Sequence, residues 1–514
     1  MAKMKAVLCC LESYDYITLS PHYLKEYARK DEGVRETYSF DILHPSTDQE
    51  ADRLAEEILS RSPDVVGFTT FLWNIEKTLQ VSELLKKKNE RLIILWGGVE
   101  ATIQRENYMK GYPCVDVIVA GEGERAFLGL LKVFMTAGKE GLDKVRGIVY
   151  REAGEIRVSP RGEVMKNLSE IPSIFLGGDS VPPVGPLQMV ETMRGCNYGC
   201  AYCVWHRYAP LRYFPLDRVL EEIKYLMGQS KIKSLYFCDA DILFSKERSL
   251  AVWETIVKHN VHHISCVFEV NPENFEPEHI DFLSRFKTGG FQFNCAFQTF
   301  NKDLNKVLNR VVDMEKVRDN LHRVRTRCPA HSLVIEYTYA WPHQTMETFV
   351  RDTLDAAIRL HPHYIMGLHF LVLPGTVFYE QPGKYGIVSH EKKAPYKVLE
   401  TQTMSRFEID NLHTICQCVG AAYRRRPLRE SFFQLMPHIP DKSFGQLYVE
   451  LAMHLISHGG ADFHKEPVLM RHYGDYVKKL CQEYRLSDDV LREHSRILAR
   501  ESEASRHAGE GGPA

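Results

Sequence analysis

Short apolar runs and longer amphipathic stretches alternate along the first 140 residues. The β-branched or aromatic runs 4–10 (MKAVLCC), 36–43, 64–70, 91–96 and 115–120 are too short for helices and read as buried strands. Between them, 19–30, 50–60, 74–88 and 123–137 carry apolar residues at helical spacing. Five strands with helical crossovers predict a doubly wound, flavodoxin-like parallel sheet, whose ligand site lies beyond the strand carboxyl ends. Residues 147–158 (GIVYREAGEIRV) predict a hairpin, and the proline-containing stretch 172–186 a linker.

A second alternating series begins at residue 187. Its strands are expected at 188–193, 233–239, 263–270, 290–297, 331–339 and 364–372, and its helices at 215–228, 246–259, 276–286, 313–327 and 345–360. Six βα units predict a partial (βα)6 barrel with its chemistry at the strand C-termini. Beyond residue 396 the pattern is helical, and 502–514 reads as a disordered tail. The expected organisation of this α/β chain is 1–145, a doubly wound domain; 146–186, hairpin and linker; 187–395, partial barrel; and 396–514, a helical region covering the barrel mouth.

Composition narrows the class. A chain of 514 residues has room for two or three domains, and 44% hydrophobic with 26% charged residues is ordinary for a globular protein. A formal net charge of −2 gives no reason to expect nucleic acid or an anionic membrane as partner. No apolar run is long enough to span a bilayer, and the opening MAKMKAVLCCLESYD lacks the apolar segment of a secretory signal, so a cytoplasmic protein is expected. Thirteen irregularly spaced cysteines do not form a disulfide framework; Cys114, Cys328 and Cys481 read as buried small apolar residues.

Three other cysteines stand apart. MRGCNYGCAYC (193–203) places Cys196, Cys200 and Cys203 in one loop, directly after the first barrel strand. With His206 the loop has the ligand types of a Cys₃His zinc site. Structural zinc sites, however, draw their ligands from two separated knuckles. Three thiolates on a 4Fe–4S cluster instead leave one iron open for a small molecule, which is a catalytic arrangement.

The C-x-x-x-C-x-x-C loop, with Tyr202 before its last cysteine, resembles that of the radical S-adenosylmethionine (SAM) enzymes. The resemblance extends over most of residues 187–390. It implies that Cys196, Cys200 and Cys203 hold the cluster and that SAM chelates the open iron. It places Asp239 and Asp241 (YFCDADILF) at the SAM amino group, although the family's usual Gly-Gly-Glu is absent. Glu269 (FEVNPENF), Gln298 and Thr299 (CAFQTFN) fall where the family faces the ribose and methionyl parts of SAM. LNRVVD (308–313) resembles the segment after the fourth strand, and Leu371 (LVLPGT) the backbone that meets adenine. Glu336, Tyr339 and His343, around the end of the fifth strand, are the catalytic candidates. There AWPHQT (340–345) departs from the family pattern, and Trp341 either faces substrate or caps the core.

The first domain adds a second likeness. Thr69-Thr70-Phe71, Gly97-Gly98 and Gly121-Glu122-Gly123 follow its third, fourth and fifth strands. They resemble the lips of cobalamin-binding domains, where a small hydroxyl residue admits the nucleotide tail and paired glycines let the backbone approach it. The D-x-H-x-x-G cobalt-binding motif is absent, and His22 reads as a surface or capping residue. Phe71, Leu72, Trp73 and Asn74 are then expected near the corrin. Together the two halves resemble the cobalamin-binding radical SAM enzymes, of the class B methyltransferase kind.

That resemblance implies three cofactors: a 4Fe–4S cluster, SAM and cobalamin. It implies methyl transfer to an unactivated carbon of a small molecule, through a 5′-deoxyadenosyl radical and methylcobalamin, with a flavodoxin or ferredoxin as electron donor. A cobalamin-dependent rearrangement or cyclisation fits the same motifs. A methylthiotransferase would need a second cluster, for which only Cys9, Cys10 and Cys114 are at hand, and a non-catalytic cobalamin sensor would not need the SAM-contacting strand ends. Arg424–Arg426 either meet an anionic substrate or form a solvated helix end.

Overall fold

The computed structural model describes residues 3–13, 16–138, 140–177, 185–287, 289–459, 465–486 and 492. Residues 178–184 of the 172–186 linker and the whole 502–514 tail lie outside the described residues.

The strands are, in chain order, β1 (Met4–Cys9), β2 (Tyr16–Ile17), β3 (Tyr38–Leu43), β4 (Val65–Thr69), β5 (Ile93–Gly97), β6 (Val117–Val119), β7 (Ile148–Glu152) and β8 (Glu155–Val158). The second series comprises β9 (Leu187–Val190), β10 (Met193–Arg194), β11 (Arg212–Tyr213), β12 (Ser234–Phe237), β13 (Ser265–Val270), β14 (Gln292–Gln298), β15 (Ser332–Tyr339) and β16 (Tyr364–His369), followed by β17 (Ile387–His390) and β18 (Val398–Thr401). The first sheet has the order β3-β1-β4-β5-β6-β7-β8, parallel from β3 to β6. The helices α1 (Ser20–Ala28), α2 (Glu32–Thr37), α3 (Ala51–Ser60), α4 (Ile75–Lys88), α5 (Val99–Gly111) and α6 (Glu124–Ala137) accompany it. One face buries Val7, Val66, Ile94 and Trp96, and the other Ala6, Val65, Leu95 and Val117. Alternation within each strand therefore feeds two cores, as a doubly wound sheet requires.

Two sequence readings change. The 147–158 hairpin is not a connector: β7 pairs antiparallel with β6, and β8 with β7, so it completes the first sheet. Two residues from the first domain, Tyr16 and Ile17, pair parallel with β9 and belong to the second sheet. A two-residue strand has no periodicity to reveal it.

The chain divides into two compact units. The first comprises Met1–Glu269 with Leu373–Glu380 and Lys392–Tyr396. Besides the first sheet it holds the strand order β13-β12-β9-β2, all parallel. The Lys392–Tyr396 segment is fastened there by Tyr396, whose hydroxyl donates to buried Glu100 and lies 3.3 Å from the Gln104 amide nitrogen.

The second unit contains the parallel order β16-β15-β14 and the helices Arg406–Arg424, Arg426–Leu435, Phe444–Gly459 and Glu466–Glu483. The Arg406–Arg424 helix packs on one face of β15 and β16. Its His413 Nδ1 lies 2.5 Å from the Tyr339 hydroxyl, and Gly420 faces the Ile365 carbonyl. That helix thus covers a sheet face, where the sequence led us to expect a cover for the barrel mouth. Arg424–Arg426 lie where it meets the next helix, and Arg426 is paired with Glu430 at 2.6 Å. Among the described residues no helix is long and apolar enough to cross a membrane.

Candidate functional site

The strand ends of the first sheet open onto a cavity of about 330 Å³, within the size range of small-molecule sites. Thr69 and Phe71 after β4, Gly97 and Gly98 after β5, and Gly121 and Glu122 after β6 all line it. Small residues at these points leave the room. A Cβ added to Gly121 would meet nothing within 4 Å, and one at Gly97 only Val119 at 3.9 Å. Gly98 and Gly121 also meet a second need, since their φ values of +92° and +93° are left-handed, and a Cβ on Gly98 would lie 2.5 Å from the Thr70 carbonyl oxygen. The donor set and the glycine-lined space fit a cobalamin tail, and no histidine is among the lining residues.

Of the residues expected here, Thr70, Leu72, Trp73 and Asn74 are not among the lining residues. Thr70 is buried, donating to the Gly97 carbonyl at 2.8 Å and accepting from the Ala101 amide at 3.0 Å. Asn74 is buried too; its side chain ties together the Phe71 amide and the Leu11 and Thr69 carbonyls. Both shape the lip from behind. Trp73 stands 47% exposed and stacks on Phe71 at 4.4 Å, outside the lining. His22, expected at the surface, is buried in α1 with its Nε2 3.0 Å from that of His44; burial and the neighbouring cations push its pKa down to about 3.

These differences sharpen a test. Gly97→Leu is expected to fill the cavity and abolish cobalamin retention, read from the visible spectrum of purified protein, while iron content stays near wild type. Gly98→Leu would instead strain the backbone that shapes the lip, so it reports on folding as well as on the cofactor.

The cysteine loop belongs to the same unit. Its neck is the antiparallel pair β10–β11, with Arg194 opposite Arg212. Cys200 is buried, and Cys196 and Cys203 are half-buried. The Tyr198 amide donates to the Cys196 sulfur and the Trp205 amide to the Cys203 sulfur, both at 3.4 Å. N–H donors aimed at sulfur favour thiolates, which fits an iron–sulfur cluster. Among the described residues no three His, Cys, Asp or Glu side chains converge as ligands to one ion do; cluster thiolates each bind a different iron and need not converge.

Gly195, Trp205 and Ala209 of this loop also line the cavity, so the two candidate cofactor sites share a wall. So do Arg194, Arg212, Glu124 and Glu191, which sequence reasoning missed. The Arg before Gly-Cys was visible in the sequence, but nothing there said what it would meet.

Asp239 does not stand open for an amino group. Its carboxylate accepts from the Thr192 amide at 2.7 Å, the Thr192 hydroxyl at 2.6 Å and the Met193 amide at 3.1 Å. Burial pushes its pKa up to about 6 against these bonds. Hydrogen bonds to a charged acceptor contribute about 1.5–3 kcal/mol each, so Asp239 fastens the start of the cysteine loop. Asp241 is buried and caps the turn Ile242–Phe244, accepting from the Leu243 amide at 2.9 Å. Glu269 remains half-buried and accepts from the Tyr236 hydroxyl at 2.7 Å. Tyr202 is half-buried within the loop.

In the second unit, the registers β14–β15 and β15–β16 put Ala296, Glu336 and Met366 in one row. Glu336 shares its face with Thr338, Tyr364, Met366 and Leu368, the last three being 39%, 43% and 42% exposed. Tyr339, one of the catalytic candidates, points to the opposite face, 1% exposed against His413. Strand alternation separates these two candidates. Gln298 accepts from Thr338 at 2.8 Å, and Thr299 is buried with its hydroxyl 3.0 Å from that of Thr353. Gln298, Ala340 and His343 adopt left-handed φ angles of 63°, 63° and 64°. Such strain in non-glycine residues clusters where function holds the backbone. His343 is exposed, whereas Trp341 is buried against Phe370 and belongs to the core. Leu371 is half-buried and bridges to Lys397.

Comparison with known proteins finds matches to both halves of the chain. The B12 binding domain family matches residues 8–131, and the Radical SAM superfamily residues 190–355. The cobalamin-dependent radical SAM methyltransferase TokK of Streptomyces tokunonensis is 28% identical over 45% of this chain and 35% of its own length. An anaerobic magnesium-protoporphyrin IX monomethyl ester cyclase of Rubrivivax gelatinosus is 25% identical over 42% of this chain and 40% of its own. The chain therefore spans well under two thirds of these curated relatives. The structure of the cobalamin-dependent SAM radical enzyme OxsB, with aqua-cobalamin and SAM bound, shares the fold over 100% of this chain and 82% of that one, at 15% identity and a TM-score of 0.67. The chain therefore joins a B12 binding domain, whose match spans the glycine-bearing strand ends, to a Radical SAM domain, whose match spans the cysteine loop.

Proposed function

We propose that this chain is a cobalamin-dependent radical SAM methyltransferase that methylates an unactivated carbon of a small molecule. The observation that carries the reading is the shared wall: the cysteine loop and the strand-end glycines bound one cavity. A reaction that uses two cofactors needs them held in reach of each other and away from water. When bound, the cluster with SAM supplies a hydrogen-abstracting radical, and cobalamin supplies the methyl group. In this reading Cys196, Cys200 and Cys203 hold the cluster, and Thr69, Phe71, Gly97, Gly98 and Gly121 hold cobalamin. Glu269 contacts SAM. Glu336, beside the exposed Tyr364, Met366 and Leu368, faces the substrate. Tyr339, turned against His413, supports that strand from behind. The expected boundaries near residues 145, 186 and 395, a flavodoxin or ferredoxin electron donor, and a cytoplasmic location are part of the same proposal.

The likeness to TokK supports methyl transfer, and the likeness to the cyclase supports cyclisation without it. A single experiment separates them. Protein reconstituted anaerobically with iron, sulfide and cobalamin is incubated with methyl-deuterated SAM and metabolites from a strain lacking the gene. A product carrying the intact labelled methyl group is expected. Product formed without label would replace this proposal by the cyclisation reading.

A further inference from the structure

The neck of the cysteine loop sets two like charges side by side. Arg194 and Arg212 are direct partners across β10–β11, an arrangement that is destabilising by itself. The compensating charge comes from the lip after β6. Glu122 receives both ends of the Arg212 guanidinium, at 2.8 and 3.1 Å, and lies 3.7 Å from Arg194. Glu124 accepts from Arg194 at 2.7 Å. Glu191, at the end of β9, receives the Arg194 Nε at 3.2 Å. The Arg194 guanidinium also lies over the rings of Tyr23 and Phe214, at 5.3 and 5.6 Å.

The network is largely withdrawn from water: the side chains of Arg194, Arg212 and Glu124 are 13%, 9% and 5% exposed. Breaking such a pair leaves a buried charge uncompensated, so its geometry is held firmly. Burial opposes ionisation of Glu122, but hydrogen bonds from Arg212 and the Met165 amide, with the nearby arginine charges, outweigh it and keep the carboxylate charged. Next along the chain from Arg194, Gly195 has a φ of +85°, and a Cβ there would lie 2.2 Å from the Pro210 carbonyl oxygen. The loop therefore closes at its neck with no slack. Every one of these charged groups also lines the cavity.

We propose that Glu122, Arg194 and Arg212 are positioning residues that couple the two cofactor sites: occupancy of the cobalamin cavity fixes the β6 lip, and the lip holds the neck of the cysteine loop closed. Cobalamin binding thereby orders Cys196, Cys200 and Cys203 before the cluster is assembled. The proposal rests on the assignment of the cavity to cobalamin.

The test uses the 514-residue chain, reduced and free of iron, with cyanocobalamin, whose tightly held cyanide exchanges slowly with thiols. Binding is followed by absorbance, and alkylation of each cysteine by peptide mass spectrometry. In the wild type, saturating cyanocobalamin is expected to slow alkylation of Cys196, Cys200 and Cys203 about fivefold or more, as expected for suppressed local opening. Glu122→Gln, compared at a cyanocobalamin concentration that saturates it by its own absorbance titration, is expected to lose most of that protection. Arg212→Lys should keep more protection than Arg212→Met, because a charge remains for Glu122. Binding to the wild type without slower alkylation overturns the coupling alone, as does full protection in a folded Glu122→Gln. Failure of the wild type to bind cyanocobalamin overturns the cavity assignment and the coupling with it. If Glu122→Gln does not fold, the wild-type comparison and the Arg212 pair still decide.

Discussion

Replacing Cys196, Cys200 and Cys203 together by alanine is expected to leave a folded protein with no bound iron. The loop is held by groups other than its thiols: Asp239 accepts from Thr192 and Met193, and Arg194 and Arg212 are paired with carboxylates. Only Cys200 is fully buried, and removing one sulfur from such a site costs on the order of 1 kcal/mol. Anaerobically prepared wild type should contain about four iron atoms per chain and absorb broadly in the visible. The triple variant should lose both signals and keep the wild-type circular dichroism spectrum. Iron retained by the variant would place the cluster elsewhere in the chain. Stoichiometric zinc in anaerobically prepared wild type would replace the cluster by the Cys₃His alternative.

The second large effect concerns products. Methyl transfer of the proposed kind consumes SAM in two ways, as methyl donor and as source of the hydrogen-abstracting radical. About one S-adenosylhomocysteine and one 5′-deoxyadenosine should therefore form for each methylated product, and deuterium at the reacting carbon should pass into 5′-deoxyadenosine. In Gly97→Leu the cavity is filled from the β5 end, and none of the three cysteines is among its lining residues. That variant should lose methylated product and S-adenosylhomocysteine but still cleave SAM slowly to 5′-deoxyadenosine. S-adenosylhomocysteine without any 5′-deoxyadenosine would mean polar methylation, and the radical step would be abandoned.

Much of the architecture is legible in one dimension. Strands β1, β4, β5, β12, β13, β14 and β15 lie where short apolar runs predict them, because a strand buried on both faces needs nearly every residue apolar. The cysteine loop and the glycine pairs are legible for a related reason: each is a local requirement of spacing or backbone freedom, satisfied within a few residues. The α5 helix is harder to see, since it follows Gly97-Gly98 with no strong apolar stripe.

What the sequence determined by itself was therefore the order of strands and helices, the three-thiol loop and the small-residue lips, since all of these rest on near neighbours along the chain. Tertiary structure alone decided which charged and polar residues face a site. Asp239, just after β12, and Glu336, within β15, look alike as acids in the sequence, yet one is consumed by backbone amides 46 and 47 residues away and the other lies beside exposed apolar side chains. Tyr339 and Glu336 are three residues apart, and the pleat sends them to opposite faces. Glu122 meets Arg212 across 90 residues of chain, and Tyr396 meets Glu100 across 296. A buried charge must find its partner wherever folding brings one, and that distance in sequence carries no local signal.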